Sequence, residues 1–486
     1  MIARLRRPIE TLLDRRVPAT GLGVFRIALS IVMFFEWAQL LYFKALIFDP
    51  TPFLDPDYRY HALLAVWGVA ILCLLIGWRT RPVSVINYMA TVALLGPLKD
   101  FEYHYDYVLL GTTFLLIWIR PEAALSVDRW LARRRGRPWR DDVSVLSYYA
   151  PLIMGLGVVY LDSVTYKITS PMWLGGLGLW RPSSIPPMTW LNLGPLLDQE
   201  ALVRGLSYLV LLFETIFCFV FFRRAWRVPI LIFGVMVHVG ITIAFPIPLF
   251  GIGSAIFYFL MVPFSFWRRV LPTASLAWEQ PQPAEPALRT RRANAVLALV
   301  AVLALFQAGA TYRSDLMRPM WRDVASTQIG RAWKTVVAAV AKPSRMLLGV
   351  TPHPVFMDSH FDGYSEVLAL VALTEEGEDW LPIVDRQGQA AFPSWGRVWV
   401  ATTFRVAGPS PSHWRKVRGL ERHGTFWMVV RGHNLRTTPV IIRSKSVTDA
   451  RAFRAGLWRQ QAATPWRDVG VLRWRGDRLA VEWRQP

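Results

Sequence analysis

GLGVFRIALSIVMFFEWAQLLYF, residues 21–43, follows a twenty-residue start that carries five arginines. Roughly 20 apolar residues in an α-helix cross the hydrocarbon core of a bilayer. No small-residue cleavage site follows the basic start, so the run reads as an uncleaved anchor rather than a signal peptide. Eight more apolar runs lie near 62–78, 83–98, 104–119, 144–162, 206–222, 228–246, 248–266 and 293–312. The pattern predicts an α-helical polytopic membrane protein with about nine transmembrane helices.

Composition agrees. The 486 residues are 53% hydrophobic and 18% charged, with a mean hydropathy of +0.30. A disordered chain has low hydrophobicity, and an ordinary soluble protein has about a quarter of its residues charged. The two cysteines, Cys73 and Cys218, sit inside apolar runs, which excludes a disulfide framework. A net charge of +21 suggests nucleic acid, but the basic residues alternate with the spans. Connections on one side hold 22 Lys and Arg, those on the other hold 6. Basic residues favour the cytoplasmic side. That rule puts the N-terminus in the cytoplasm and, after nine spans, the C-terminal domain outside. Topology accounts for the charge, and no nucleic-acid partner is expected.

Four segments follow. Residues 1–270 form a membrane domain, and 271–292 a Pro-, Ala- and Gln-rich cytoplasmic linker. Residues 293–312 form the ninth transmembrane helix, a plain tether, and 313–486 an extracytoplasmic domain. Residues 313–350 have helical periodicity and are expected to lie along the membrane surface. From Phe356 onward short runs alternate with turn residues: Glu366–Leu373, Arg397–Val406, Thr425–Val430, Val440–Ile442, Val471–Trp474 and Leu479–Trp483. They predict a C-terminal β-rich extracytoplasmic domain of antiparallel strands.

Ionisable groups inside spans are costly and mark function by default. Glu36, His104, Asp106, Asp162, Lys167, Glu214 and His238 fall at similar depth in the outer half; Arg26 alone lies in the inner half. An outward-opening pocket lined by carboxylates, imidazoles and one amine is the economical expectation. Each also has a plain reading: a snorkelling arginine, helix-end groups, a packing pair or an interhelical hydrogen bond. Lys167 stands out, because desolvation disfavours a charged amine and would make it a base or nucleophile near neutral pH. His104 and His238 lack a spaced third ligand, so no metal is expected.

Five stretches resemble the HTTM domain, the membrane module of vitamin K-dependent gamma-glutamyl carboxylases. They are Leu22–Ile27 with Arg26, Tyr103–Tyr107 with Ser126–Asp128, Val159–Gly176 with Lys167, Leu212–Glu214 with Phe221–Arg223, and His238–Pro246. The resemblance covers about residues 15–270. The family's enzyme often has two adjacent lysines where Tyr166 precedes Lys167 here.

The resemblance implies carboxylation of glutamate side chains in an exported peptide or protein. Reduced vitamin K or another hydroquinone, oxygen and carbon dioxide would be cosubstrates. Lys167 would be the catalytic base and His104 a proton relay, with Asp106, Glu214, His238, Asp162 and Arg26 as supporting pocket residues. Membrane lipid and an isoprenoid quinone would be its other partners. The alternative is a non-catalytic membrane scaffold or maturation factor for an exported peptide.

Overall fold

The computed structural model describes residues 2–98, 100–191, 193–271, 286–312, 314–361, 364, 366–406, 419–446 and 465–484. Most of the expected linker, 272–285, lies outside the described residues. The chain is mainly helical, with a β-sheet near its C-terminus.

The leading helices are α1 (Ile2–Asp14), α2 (Thr20–Tyr42), α3 (Tyr58–Ile76), α4 (Thr80–Leu95) and α5 (His104–Trp118). Then come α6 (146–167), α7 (Glu200–Val220), α8 (Arg224–Ala244), α9 (Pro248–Met261), α10 (Phe264–Val270) and α11 (Pro286–Thr311). Among the described residues, α2, α3, α7, α8 and α11 are long and apolar enough to cross a membrane. The pair α9–α10, bent by 98°, makes a sixth if counted as one span. Helices α4 and α5, with 16 and 15 residues, are shorter than a full crossing.

Polar atoms and bare glycines set the helix packing. Trp37 on α2 donates its indole N–H to Leu64 O on α3 at 2.8 Å, and Trp67 donates to Asn87 Oδ1 on α4 at 3.1 Å. Gly68 leaves room for the Trp37 ring, 2.8 Å from where a Cβ would stand. A short antiparallel pair, β1 (Arg16–Pro18) with β2 (Asp142–Ser144), ties the start of α2 to the start of α6. Helix α6 carries a π turn at Ile153–Gly157. There Gly155 and Gly157 admit Phe257 and Cys218 at close range. Such a turn inserts one residue and resets the helical register beyond it, here for the segment bearing Tyr160, Asp162 and Lys167.

Two helices follow α11: α12 (Arg318–Val324) and α13 (Gln328–Leu348). The sheet has order β4-β3-β5-β6-β7, all antiparallel, from β3 (Glu366–Thr374), β4 (Gly377–Trp380), β5 (Val440–Ser446), β6 (Arg467–Arg475) and β7 (Arg478–Trp483). Four of the six expected strands are present. The other two are corrected: 396–400 is α-helix running into a π-helix at 401–406, and Thr425–Val430 lies in α14 (Gly419–Val430). Both are buried apolar runs, which periodicity alone does not assign to strand or helix.

Helix α14 joins the sheet to the helix bundle. Its Gly424 faces Leu472, Leu370 and Leu479, while Phe426 packs on Phe43 at 5.5 Å and stacks on Phe53. Arg422 donates to the carbonyls of Leu46, Ile47 and Asp49 at 2.6–3.0 Å. Leu46 and Ile47 end the short helix Lys44–Ile47, where carbonyls lack intrahelical partners and need such donors.

Phe426 is fully buried. Phe426→Ala is expected to cost about 3–5 kcal/mol. The readouts are a lower thermal midpoint of the solubilised chain and faster tryptic release of the C-terminal sheet.

Candidate functional site

Helix α6 has two working faces. At 100° per residue, Tyr160 and Lys167 lie about 20° apart, and Asp162 about 140° from Lys167. The first face meets α7 and α8. Lys167 Nζ donates to both oxygens of Glu214, at 2.7 and 2.8 Å, and sits 4.4 Å from the centre of the Trp173 ring. The lysine side chain is 4% exposed and the glutamate 12%. Lys167 is thus held in an ion pair, capped by an aromatic face that itself attracts cations.

Trp173 is set in place from the C-terminal part of the chain. Its indole N–H donates to Phe356 O at 2.9 Å. Asp358 accepts from Ser170 and from the Met172 N–H, capping the short helix Pro171–Leu174 that carries Trp173.

On the same face of α6, the Tyr160 hydroxyl lies 2.6 Å from His238 Nε2 and 2.9 Å from the Tyr258 hydroxyl. His238 is buried, and among the described residues its Nδ1 has no partner. Three groups that hold or pass protons therefore line up beside the Lys167–Glu214 pair.

The second face meets α11. Asp162 accepts from Gln307 and Thr311, and from the His353 N–H at 2.5 Å. The His353 ring lies 5.8 Å from His104 and 6.2 Å from Tyr107. Burial, helped by neighbouring His104, lowers the His353 pKa to about 3. Burial also lowers that of His360, whose Nδ1 accepts from the Met357 N–H. Neutral His360 therefore carries its proton on Nε2. Among the described residues no hydrogen bond or ion pair joins His104 to Lys167.

A third cluster lies between the helix bundle and residues 395–397. Arg397, fully buried, donates to Glu36 of α2 and Asp106 of α5. Burial alone would lower the arginine pKa, but Asp106 and Glu36 outweigh it and raise the value. Gln39 adds a bond to Trp395 O at 2.8 Å. Arg26 sits beyond the Trp118 end of α5, bonded to the carbonyls of Pro121 and Leu125.

The ionisable groups expected in one pocket thus divide among Lys167–Glu214 with neighbouring His238, Asp162–His353–His104, and Glu36–Arg397–Asp106. Sequence reasoning missed Arg397, His353, Trp173, Tyr160 and Tyr258 as functional partners. Arg397 was expected only as the first residue of a strand, and no local signal marked it as the partner of Glu36 and Asp106. Among the described residues no group of three His, Cys, Asp or Glu side chains is placed to hold a metal. No family model matches the chain, and neither a curated protein nor a solved structure is significantly similar to it.

Arg397→Met leaves two buried carboxylates without their cation. Breaking such a pair costs about 3–5 kcal/mol. The domain junction should open to protease, and the triple change Glu36→Gln, Asp106→Asn, Arg397→Met should restore most of the lost stability.

Buried neutral histidines also give a pH dependence. The His353 and His423 pKa values, lowered to about 3, lie below the unfolded value of about 6.5. The unfolded chain alone takes up these protons below about pH 6.5, so stability is present above that pH and lost as pH falls toward 3. Each contributes up to about 1.4 kcal/mol per pH unit. Thermal midpoints should drop between pH 7 and 5, and His353→Gln should flatten the slope.

Proposed function

We propose that the chain is an integral membrane enzyme of the gamma-glutamyl carboxylase type, with about nine spans, a cytoplasmic N-terminus and an extracytoplasmic C-terminal domain. It would carboxylate glutamate side chains of an exported peptide or protein, coupled to oxidation of a hydroquinone. The observation that carries this reading is the buried Lys167–Glu214 pair under Trp173, beside Tyr160, His238 and Tyr258.

The pair fits an acidic hydroxyl of an aromatic cosubstrate. Glu214 accepts the hydroxyl proton, and the Lys167 ammonium holds the oxygen anion left behind. This changes the part expected of Lys167: it stabilises charge, and the carboxylate takes the proton. Tyr160 and His238 donate and accept hydrogen bonds within reach of the pair. Oxidation of the hydroquinone by oxygen supplies the base strength that side chains lack, enough to remove a glutamate γ-proton before carbon dioxide adds. Burial excludes water from that step. His104 acts from the other face of α6, through His353 and Asp162, as a positioning residue.

A scaffold for an exported peptide is favoured by one observation: both Glu214 oxygens already engage Lys167, as in a structural ion pair. A single experiment separates the two. Full-length chain in lipid nanodiscs receives reduced vitamin K or menaquinone, oxygen, labelled bicarbonate and a Glu-rich peptide. Wild type should fix label, and Lys167→Ala and Glu214→Gln should each lower fixation about 100-fold or more, while the helical circular-dichroism signal at the assay temperature shows that each variant is still folded. Equal labelling by wild type and Lys167→Ala ends the assigned role. Peptide binding without labelling supports the scaffold.

A further inference from the structure

Helix α13 has three faces. Around its axis Ile329, Trp333, Val336, Val340 and Leu347 fall within about 60° at 100° per residue. Ile329 is 78% exposed, Val336 46% and Leu347 44%. Trp321 of α12 stacks on Trp333 at 6.1 Å and lengthens this apolar strip. Opposite it lie Arg331, Lys334, Lys342 and Arg345, and α13 has no acidic residue. Among the described residues, Arg345 alone of these bonds a carboxylate, Glu102 at 3.4 Å.

The third face, between the other two, packs on the helix bundle. Val337 lies against Gly309 near the end of α11, and the Leu348 carbonyl approaches Gly111 of α5. The Tyr88 hydroxyl donates to Leu347 O at 2.8 Å. The helix is therefore held sideways against the bundle, one edge apolar and the opposite edge cationic. A helix lying in the plane of a bilayer interface has this division, with apolar side chains toward acyl chains and Lys and Arg toward phosphates. Trp333 and Trp321 are the residue type that collects at that depth.

We propose that α12 and α13 form a binding surface for anionic phospholipid in the leaflet at the His104 end of the bundle. Ile329, Val336 and Leu347 enter the acyl region, while Arg331, Lys334 and Lys342 meet headgroup phosphates. The occupant follows from place and charge. Helix α13 lies beside the end of α11, itself apolar enough to span, so its free edge meets lipid before a soluble partner. Its opposite edge matches phosphate in sign.

The surface is joined to the site. Gly349, at φ +66°, turns the chain where a Cβ would collide with Tyr107 O. Four residues on, His353 binds Asp162. The inference rests on the membrane placement of α11 and not on the chemistry at Lys167.

The test uses full-length chain in nanodiscs, with Cys73 and Cys218 replaced by Ala. Single cysteines at 329, 336, 347, 331 and 338 carry an environment-sensitive fluorophore. Doxyl-labelled lipid should quench positions 329, 336 and 347 at least threefold more than 331 and 338. Replacing Arg331, Lys334 and Lys342 by Gln should lower the preference for phosphatidylglycerol over phosphatidylcholine by up to about fivefold per charge. These three side chains are exposed, so this arm stands even if a labelled strip variant misfolds. Equal quenching at all five positions overturns the proposal, as does an apolar strip shielded by a second copy or another segment of the chain. An unchanged lipid preference in the charge variant overturns the headgroup assignment.

Discussion

A charge taken out of water needs a partner, and the arrangement of this protein depends on how that demand is met at Arg397. Its guanidinium lies fully buried between Glu36 and Asp106, which come from two different helices of the bundle, α2 and α5. No one of the three groups is stable there alone. A desolvated ion costs several kcal/mol, offset only by close geometry and further hydrogen bonds. The contact therefore joins α2, α5 and the C-terminal domain into one cooperative unit. Once that junction is closed, the segment before the sheet lies over α6. There Phe356 and Asp358 hold Trp173 in place, and His353 engages Asp162.

The apolar helices and the change to strands near Glu366 were legible in the sequence. Depth comes from counting along a span. Azimuth does not, because it depends on which neighbour a helix turns toward. His104 and Asp106 are two residues apart on α5, so about 200° of rotation separates them. One faces His353 and the other Arg397. Lys167 and Asp162 diverge in the same way. The similar depth expected of them suggested one pocket, and rotation made three clusters.

The remaining misses share a cause. Arg397, His353 and Trp173 act through partners far away in sequence, and no local pattern carries such pairing. Residues 396–406 look like a strand because Val398, Val400, Thr402 and Thr403 are β-branched. Here, though, the chain is enclosed on several sides, and tertiary packing overrides a propensity of at most about 1 kcal/mol. The π turn at Ile153–Gly157 leaves a trace only in its two glycines, which admit Phe257 and Cys218.

Among the described residues, buried polar atoms without partners occur at both ends of the bundle, Arg26 Nε and Glu122 Oε2 at one end and a further group near His104 at the other. His104 Nδ1, His238 Nδ1, the Tyr105 hydroxyl and Glu36 Oε2 are each unpartnered among the described residues. Each costs about 1–3 kcal/mol when left unsatisfied. An apolar side chain of similar size would remove that cost, and a buried ion pair such as Lys167–Glu214 is often no more stable than a packed apolar pair. Stability alone therefore does not explain this end of the molecule. In the proposed reaction such donors and acceptors would serve the bound cosubstrate.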